Sequence, residues 1–341
     1  MNTTRAQHYI PRLILKNFTT SGSAEEHLWV TAPAERKQWK SLLGEAGHRC
    51  DFYRISHEGL DANFVEGFLA NLENEIAPMV REMIGSTWLP RAKGERELLL
   101  QFLALWFARV PSQREMLERS FEAVTKESVR LLVTSRERWD QFVAARRADG
   151  VDFSDKETDY DRMKEFVDRD EYNVTLEGKD FQVKMMLRGA QFVLPLLRNR
   201  RWSLLVSRSG EFICADRPTL FFESARTSDQ VPGLASKDTS ILFPLSRHVL
   251  LLGSNESLIE VRYLNRKTVA DLNRLALINT HRHVFSARSE FPWTDRGGKV
   301  RYDMPPMAKD DRPYVIDAFV KGSPHPERLV EMRERPLRLE A

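Results

Sequence analysis

Four side chains combine a reactive type with a telling position: His8, Glu75, Arg109 and Asp216. Histidine is the side chain whose ordinary pKa best suits proton transfer near neutrality, and His8 sits on an extended stretch ahead of Pro11. At about 100° per residue, Glu75 falls in the sector of Phe68, Leu72, Ile76 and Met79, whereas Glu73 points outward. A carboxylate aimed at a core needs a cation or hydrogen-bond donors, so Glu75 is either the wall of a site or half of a structural ion pair. Arg109 closes the apolar run Leu103–Ala108 just before Pro111. It can pair with Glu75, bind an anion, or hold carbonyls freed by the proline. Asp216 ends an expected strand before Arg217 and Pro218, a setting shared by site carboxylates and Asp turns, and the turn is favoured.

Together these groups suit hydrolysis of a phosphate-containing or nucleic-acid substrate. His8 would be the acid or base, Arg109 would face the anion, and the carboxylates would hold a water or Mg²⁺. The competing expectation is a non-enzymatic component of a bacterial defence or toxin system that binds a ligand or partner, with Glu75 and Arg109 as a buried pair.

Other chemistries lack their signatures. There is no Gly-rich phosphate loop with its lysine, no dinucleotide fingerprint, no His-Glu-x-x-His and no Gly-x-Ser-x-Gly. His48, Cys50 and His57 lie close together but have no second ligand pair, so zinc is not expected. Arg198, Arg200 and Arg201 beside Trp202 mix cations with an aromatic as nucleic-acid surfaces do, although the end of a helix collects cations too. A net charge of +3 from 52 basic and 49 acidic side chains implies neither nucleic acid nor a membrane surface by itself. With only Cys50 and Cys214, and no charged-then-apolar leader over residues 1–10, a cytoplasmic location is expected. The longest apolar stretches, 98–110 and 185–197, are shorter than the ~20 residues a membrane span requires.

The elements that must position these residues follow from periodicity. Apolar spacing predicts helices over 60–84, 95–109, 113–147, 180–197 and 267–281. A kink is expected at Pro78. Short strands are expected at 27–30 and 50–53, and after residue 201 a hairpin of 202–207 with 211–215 turns at Ser209 and Gly210, followed by strands at 240–245, 248–253 and 284–286. The expected fold is α+β, a helix-rich N-terminal two thirds packed on a small, mostly antiparallel sheet from the C-terminal third. It would form a single domain over 1–290, helical over 60–200 and strand-rich over 201–290. Seven of the sixteen prolines lie beyond residue 290, which marks 291–341 as an irregular Pro-rich tail.

The opening Gln7-His8-Tyr9-Ile10-Pro11-Arg12, with Leu15 and Asn17-Phe18, resembles the start of a bacterial family known only as domain of unknown function 4238. Further matching pieces follow in order: Phe52-Tyr53, Glu75 with Pro78, Arg109 with Pro111 and Arg114, Phe212 with Asp216 and Pro218, Phe243 to Ser246, and Asn273 leading to Val284-Phe285-Ser286. The family has no assigned activity. The resemblance implies that His8, Tyr53, Glu75, Arg109, Arg114, Asp216 and Asn273 are polar positions of its pattern. His8, Glu75 and Asp216 are then the expected catalytic groups, and Tyr53, Arg109, Arg114 and Asn273 the expected substrate-binding groups.

Overall fold

Pro11 and the apolar Leu13, Ile14 and Leu15 shape the start of the chain, where β1 (Ala6–His8) leads into α1 (Arg12–Leu15). β2 (His27–Ala32), β3 (Lys37–Leu42) and β4 (His48–Cys50) follow, then α2 (Phe64–Ser86), α3 (Lys93–Ala108), α4 (Pro111–Leu132), α5 (Arg136–Ala148), α6 (Asp155–Thr158), α7 (Tyr160–Arg169) and α8 (Lys179–Arg198). The remainder holds β5 (Arg201–Ser207), β6 (Cys214–Ala215), β7 (Leu220–Glu223), β8 (Thr239–Pro244), β9 (Val249–Ser254), β10 (Val261–Leu264), α9 (Arg266–Asn279), β11 (Val284–Ser286), β12 (Trp293–Thr294) and β13 (Val300–Arg301). This computed structural model describes residues 6–22, 26–56, 59–175, 178–223, 233–236, 239–256 and 259–305. Helices concentrate in the N-terminal two thirds and strands toward the C-terminal part, a mixed α and β architecture.

The described residues group into two compact units, one over 112–182 and the other over 6–111 with 183–305. The smaller unit has its own core of Val133, Trp139, Val143 and Val167. Its long expected helix breaks after Leu132 because Ser135 caps a new one, its side chain accepting the Arg138 amide.

In the larger unit five strands run in the order β10-β5-β9-β8-β7, antiparallel apart from the parallel β10–β5 pair. Every residue of β8 and β9 is buried. Their apolar runs are residues 241–244 and 249–252, with Thr239, Ser240 and Ser254 buried at the strand ends. A second, antiparallel sheet has the order β3-β2-β11-β6, so the sheet structure is not confined to the C-terminal third. β5 and β6 belong to different sheets, and the expected hairpin between them is absent. The turn at Ser209-Gly210 is nevertheless real, with Gly210 at φ +89°. Phe52 and Tyr53, expected in a strand, lie in a turn beyond β4. In the stretch expected as an irregular tail, β12 and β13 pair antiparallel, and residues 306–341 lie outside the described residues.

The core joins α3 to the five-stranded sheet. Trp106 is fully buried between Phe102 and Phe243, with ring centroids 5.9 and 5.7 Å away, and Phe107 meets Phe221 edge-on at 6.0 Å. α9 is buried from Thr268 to Ala276, which fixes both of its ends against the sheets.

Candidate functional site

The segment around His8 is held by backbone geometry before any side chain acts. β1 pairs antiparallel with β4, placing His8 opposite His48, and the amides of Tyr9 and Ile10 both donate to the Gly47 carbonyl at 2.9 and 3.3 Å. Gly47 has φ +64°, and a Cβ there would sit 3.4 Å from Ile10 Cβ, so a side chain is disfavoured on both counts. Gln7 is fully buried, and its side-chain oxygen accepts the Tyr53 amide.

Arg109, the residue that ends α3, enters this neighbourhood from the other side. Its guanidinium is buried, with Nε donating to the Tyr9 carbonyl at 3.2 Å and Nη2 to Glu73 Oε1 at 2.8 Å. The buried Tyr53 hydroxyl lies 3.3 Å from the Arg109 carbonyl and 3.4 Å from that of His8. Glu66 is half-buried nearby. Burial raises its pKa, the Arg109 charge opposes that, and the Glu73 charge adds to it.

Glu73, not Glu75, is therefore the partner of Arg109, and Glu75 is exposed. The reversal has a local cause. Phe64 and Phe68, taken as core by their spacing, are 54% and 45% exposed. The buried stripe is Val65, Leu69, Leu72, Ile76, Met79, Val80 and Met83, and Glu73 and Glu75 flank its centre by roughly 70° and 90° on opposite sides. Arg109 selects the Glu73 side.

His8 is half-buried, and its pKa is lowered to about 4 by burial first, then by Arg12 and His48, with a backbone hydrogen bond at Leu43 acting the other way. Its ring lies 5.6 Å from that of His48. Nε2 of His8 and Nδ1 of His48 are buried without a hydrogen-bond partner. His8 is thus neutral near pH 7 and withdrawn from solvent at the atom that would exchange a proton.

Asp216 is also consumed by structure. Its carboxylate accepts the amides of His281 at 2.8 Å, Arg282 at 2.7 Å and His283 at 3.0 Å, closing the turn between α9 and β11. Its charge, after burial, raises the pKa of the Tyr9 phenol. Asn273 accepts the Ile213 amide at 3.1 Å and donates to the carbonyls of Glu211 and Pro292 at 2.8 and 2.7 Å, which makes it a clamp and not a substrate-facing group. Arg114 lies half-buried on α4 in the unit of residues 112–182. Of the residues singled out from sequence, His8, Tyr53 and Arg109 meet directly, and Asp216 reaches them through Tyr9. Glu75 and Asn273 do not join them, and Arg114 belongs to the separate unit.

In the Arg198, Arg200 and Arg201 cluster, Arg198 and Arg201 are exposed and Arg200 is not. Arg198 pairs with Glu97, and Arg200 is buried, donating to the carbonyls of Thr239 and Leu234. Among the described residues no group of three or more His, Cys, Asp or Glu could hold a metal ion, so Mg²⁺ has no preassembled donor set there. His57 lies outside the described residues. No helix among them is long and apolar enough to cross a membrane.

An open cavity of about 440 Å³ lies elsewhere in the larger unit, and sequence reasoning missed it. The turn Ser207 to Glu211 forms one side, Arg266 and His248 contribute from α9 and the start of β9, and Arg288, Glu290, Pro292 and Tyr302 close it. The turn is rigidly tied. Ser207 N donates to the His248 carbonyl at 2.8 Å, Arg208 N to the Leu264 carbonyl at 3.0 Å, and Ser207 Oγ to the Gly210 carbonyl at 2.7 Å. A Cβ on Gly210 would lie 3.2 Å from Pro292 Cγ.

Three exposed guanidinium groups share this cavity with two carboxylates. Glu211 is already engaged by Arg247 at 2.9 Å and approached by Arg288 Nε at 3.5 Å. Arg208 is oriented over the Tyr263 ring, 4.3 Å from its centroid. Arg266 stands at the first position of α9, whose first turn holds no acidic residue. A basic first turn runs against the usual acidic preference of helix starts, and that is the one trace the site leaves in the sequence.

A model of the family described as Protein of unknown function (DUF4238) matches residues 6–290. No curated protein and no solved structure matches the chain.

Two consequences can be measured. Replacing Glu73 with Gln leaves a buried guanidinium without its counter-charge, so the E73Q variant should lose about 3 kcal/mol in urea unfolding, while E75Q stays within about 0.5 kcal/mol. His8 has a folded pKa below its unfolded value, so the unfolded chain binds more protons between pH 6.5 and 4. Stability from this group is complete above about pH 6.5 and is lost as pH falls toward 4. An H8Q variant should therefore show a shallower loss of stability than the wild type over that interval.

Proposed function

The chain belongs to the DUF4238 family, and on that premise we propose that it binds a phosphate-bearing anion in the cavity lined by Arg208, Arg266 and Arg288. The observation that carries this reading is the convergence of three guanidinium groups from separate segments on one concavity. Guanidinium presents paired N–H donors matched to phosphate oxygens, and charge-assisted bonds of this kind are the strong ones. Among the described residues Arg266 and Arg208, which both line the cavity, have no carboxylate partner within ion-pair distance. The cavity's volume falls in the range of small-molecule clefts, about 300–1,000 Å³.

Hydrolysis of a phosphate ester in this cavity is a second reading, favoured by His248. Burial and Arg247 lower its pKa, against an opposing pull from Glu211, which keeps the ring neutral at pH 7. A neutral imidazole there can accept a proton from water as the water oxygen bonds to phosphorus and the ester oxygen departs. Asp216, expected from sequence to take part, accepts three backbone amides.

Titration calorimetry with inorganic pyrophosphate tests the first reading. Wild-type protein should bind, with affinity falling as salt rises, and R266Q and R288Q should each weaken binding about tenfold; no binding by the wild type, or unchanged binding in both variants, overturns it. Release of p-nitrophenol from bis(p-nitrophenyl) phosphate tests the second: turnover should be present in the wild type and absent in H248Q, and equal turnover in the two would remove His248 from the reaction.

A further inference from the structure

The arginine cavity has a second kind of wall. Pro292 and Tyr302 also line it, and Tyr302 is 41% exposed. Tyr302 directly follows β13, which pairs with β12; Trp293 Nε1 donates to the Asp303 carbonyl at 2.9 Å, and Asp295 accepts from the Lys299 amide and the Arg301 side chain at 2.9 and 2.7 Å. The backbone on both sides of Tyr302 is thereby held.

A bare phosphate would contact arginines alone and leave most of the cavity and its aromatic wall unused. We infer that the ligand is a nucleoside phosphate, its phosphates on Arg208, Arg266 and Arg288 and its base against the Tyr302 ring. Every base offers a π face, so a tyrosine platform accepts purines and pyrimidines alike, while the guanidinium groups take the charge. The inference rests on the anion reading above and adds the half of the ligand that the anion reading leaves open. It also sets part of the specificity outside the stretch matched by the family model, which ends at residue 290.

Calorimetry with four probes separates the two readings: inorganic pyrophosphate, ribose 5-phosphate, ADP and CDP. ADP and CDP should each bind at least about tenfold more tightly than pyrophosphate or ribose 5-phosphate. Y302A should reduce both nucleotides to the pyrophosphate level and leave pyrophosphate unchanged, and Y302F should retain nucleotide affinity. Circular dichroism melts of both variants establish that they fold. Nucleotides no tighter than pyrophosphate, or a Y302A variant that weakens pyrophosphate equally, overturns the nucleoside inference and leaves the anion reading standing. Absence of binding by all four probes overturns both.

Discussion

A guanidinium sealed from water at the end of α3 sets the terms for the N-terminal part of the larger unit. A charge withdrawn from solvent must be met by acceptors, because leaving it unmet costs several kcal/mol. The acceptors of Arg109 are Glu73 on α2 and the Tyr9 carbonyl. Three segments distant in sequence thus share one charge, and none can shift alone. Tyr53 extends the arrangement to the carbonyls of Arg109 and His8. The same logic governs the other sheet, where Asp216 collects three amides and Asn273 satisfies one amide and two carbonyls. Irregular backbone buried at element junctions needs partners, and these polar side chains supply them. The place that the resemblance implies for them in a family pattern is then accounted for by structure without a reaction.

That distinction decides what the sequence can reveal. α2, α3, α8 and α9 were legible within a few residues because their apolar spacing is long and regular. The four-stranded sheet was not, since β2 pairs with β11 across some 250 residues of chain and such pairing leaves no local trace. The signal at Gly210 correctly marks a turn but says nothing about the partners of the strands it joins. Those partners are chosen by burial, with β5 drawn to the wholly buried β9. Glu73 and Glu75 show the limit at single-residue scale. A helical wheel places both at the margins of the buried stripe, and only a side chain from another helix tells them apart.

The cavity was illegible for a related reason. Arg208, Arg266 and Arg288 come from three segments, and each alone reads as an ordinary surface cation. Their meaning lies in the convergence, which depends on a turn between two sheets, a helix start and the segment after β11 meeting in one place. Gly210 makes that meeting possible, because its missing side chain lets the turn approach Pro292.

The two polar neighbourhoods therefore divide labour by how far their bonding capacity is used up. Around Arg109 the guanidinium is already committed to a carboxylate and a carbonyl, and His8 is neutral and shielded, so a ligand entering there would have to displace bonds that hold the fold. In the cavity the ion-pairing capacity of Arg208 and Arg266 is uncommitted among the described residues, and only Arg288 leans toward a carboxylate that Arg247 already occupies. An anion arriving in the cavity gains charge-assisted bonds without breaking a structural one. The proposed anion binding at the arginines rests on that difference, while Arg109, Asp216 and Asn273 commit their bonding capacity to the fold.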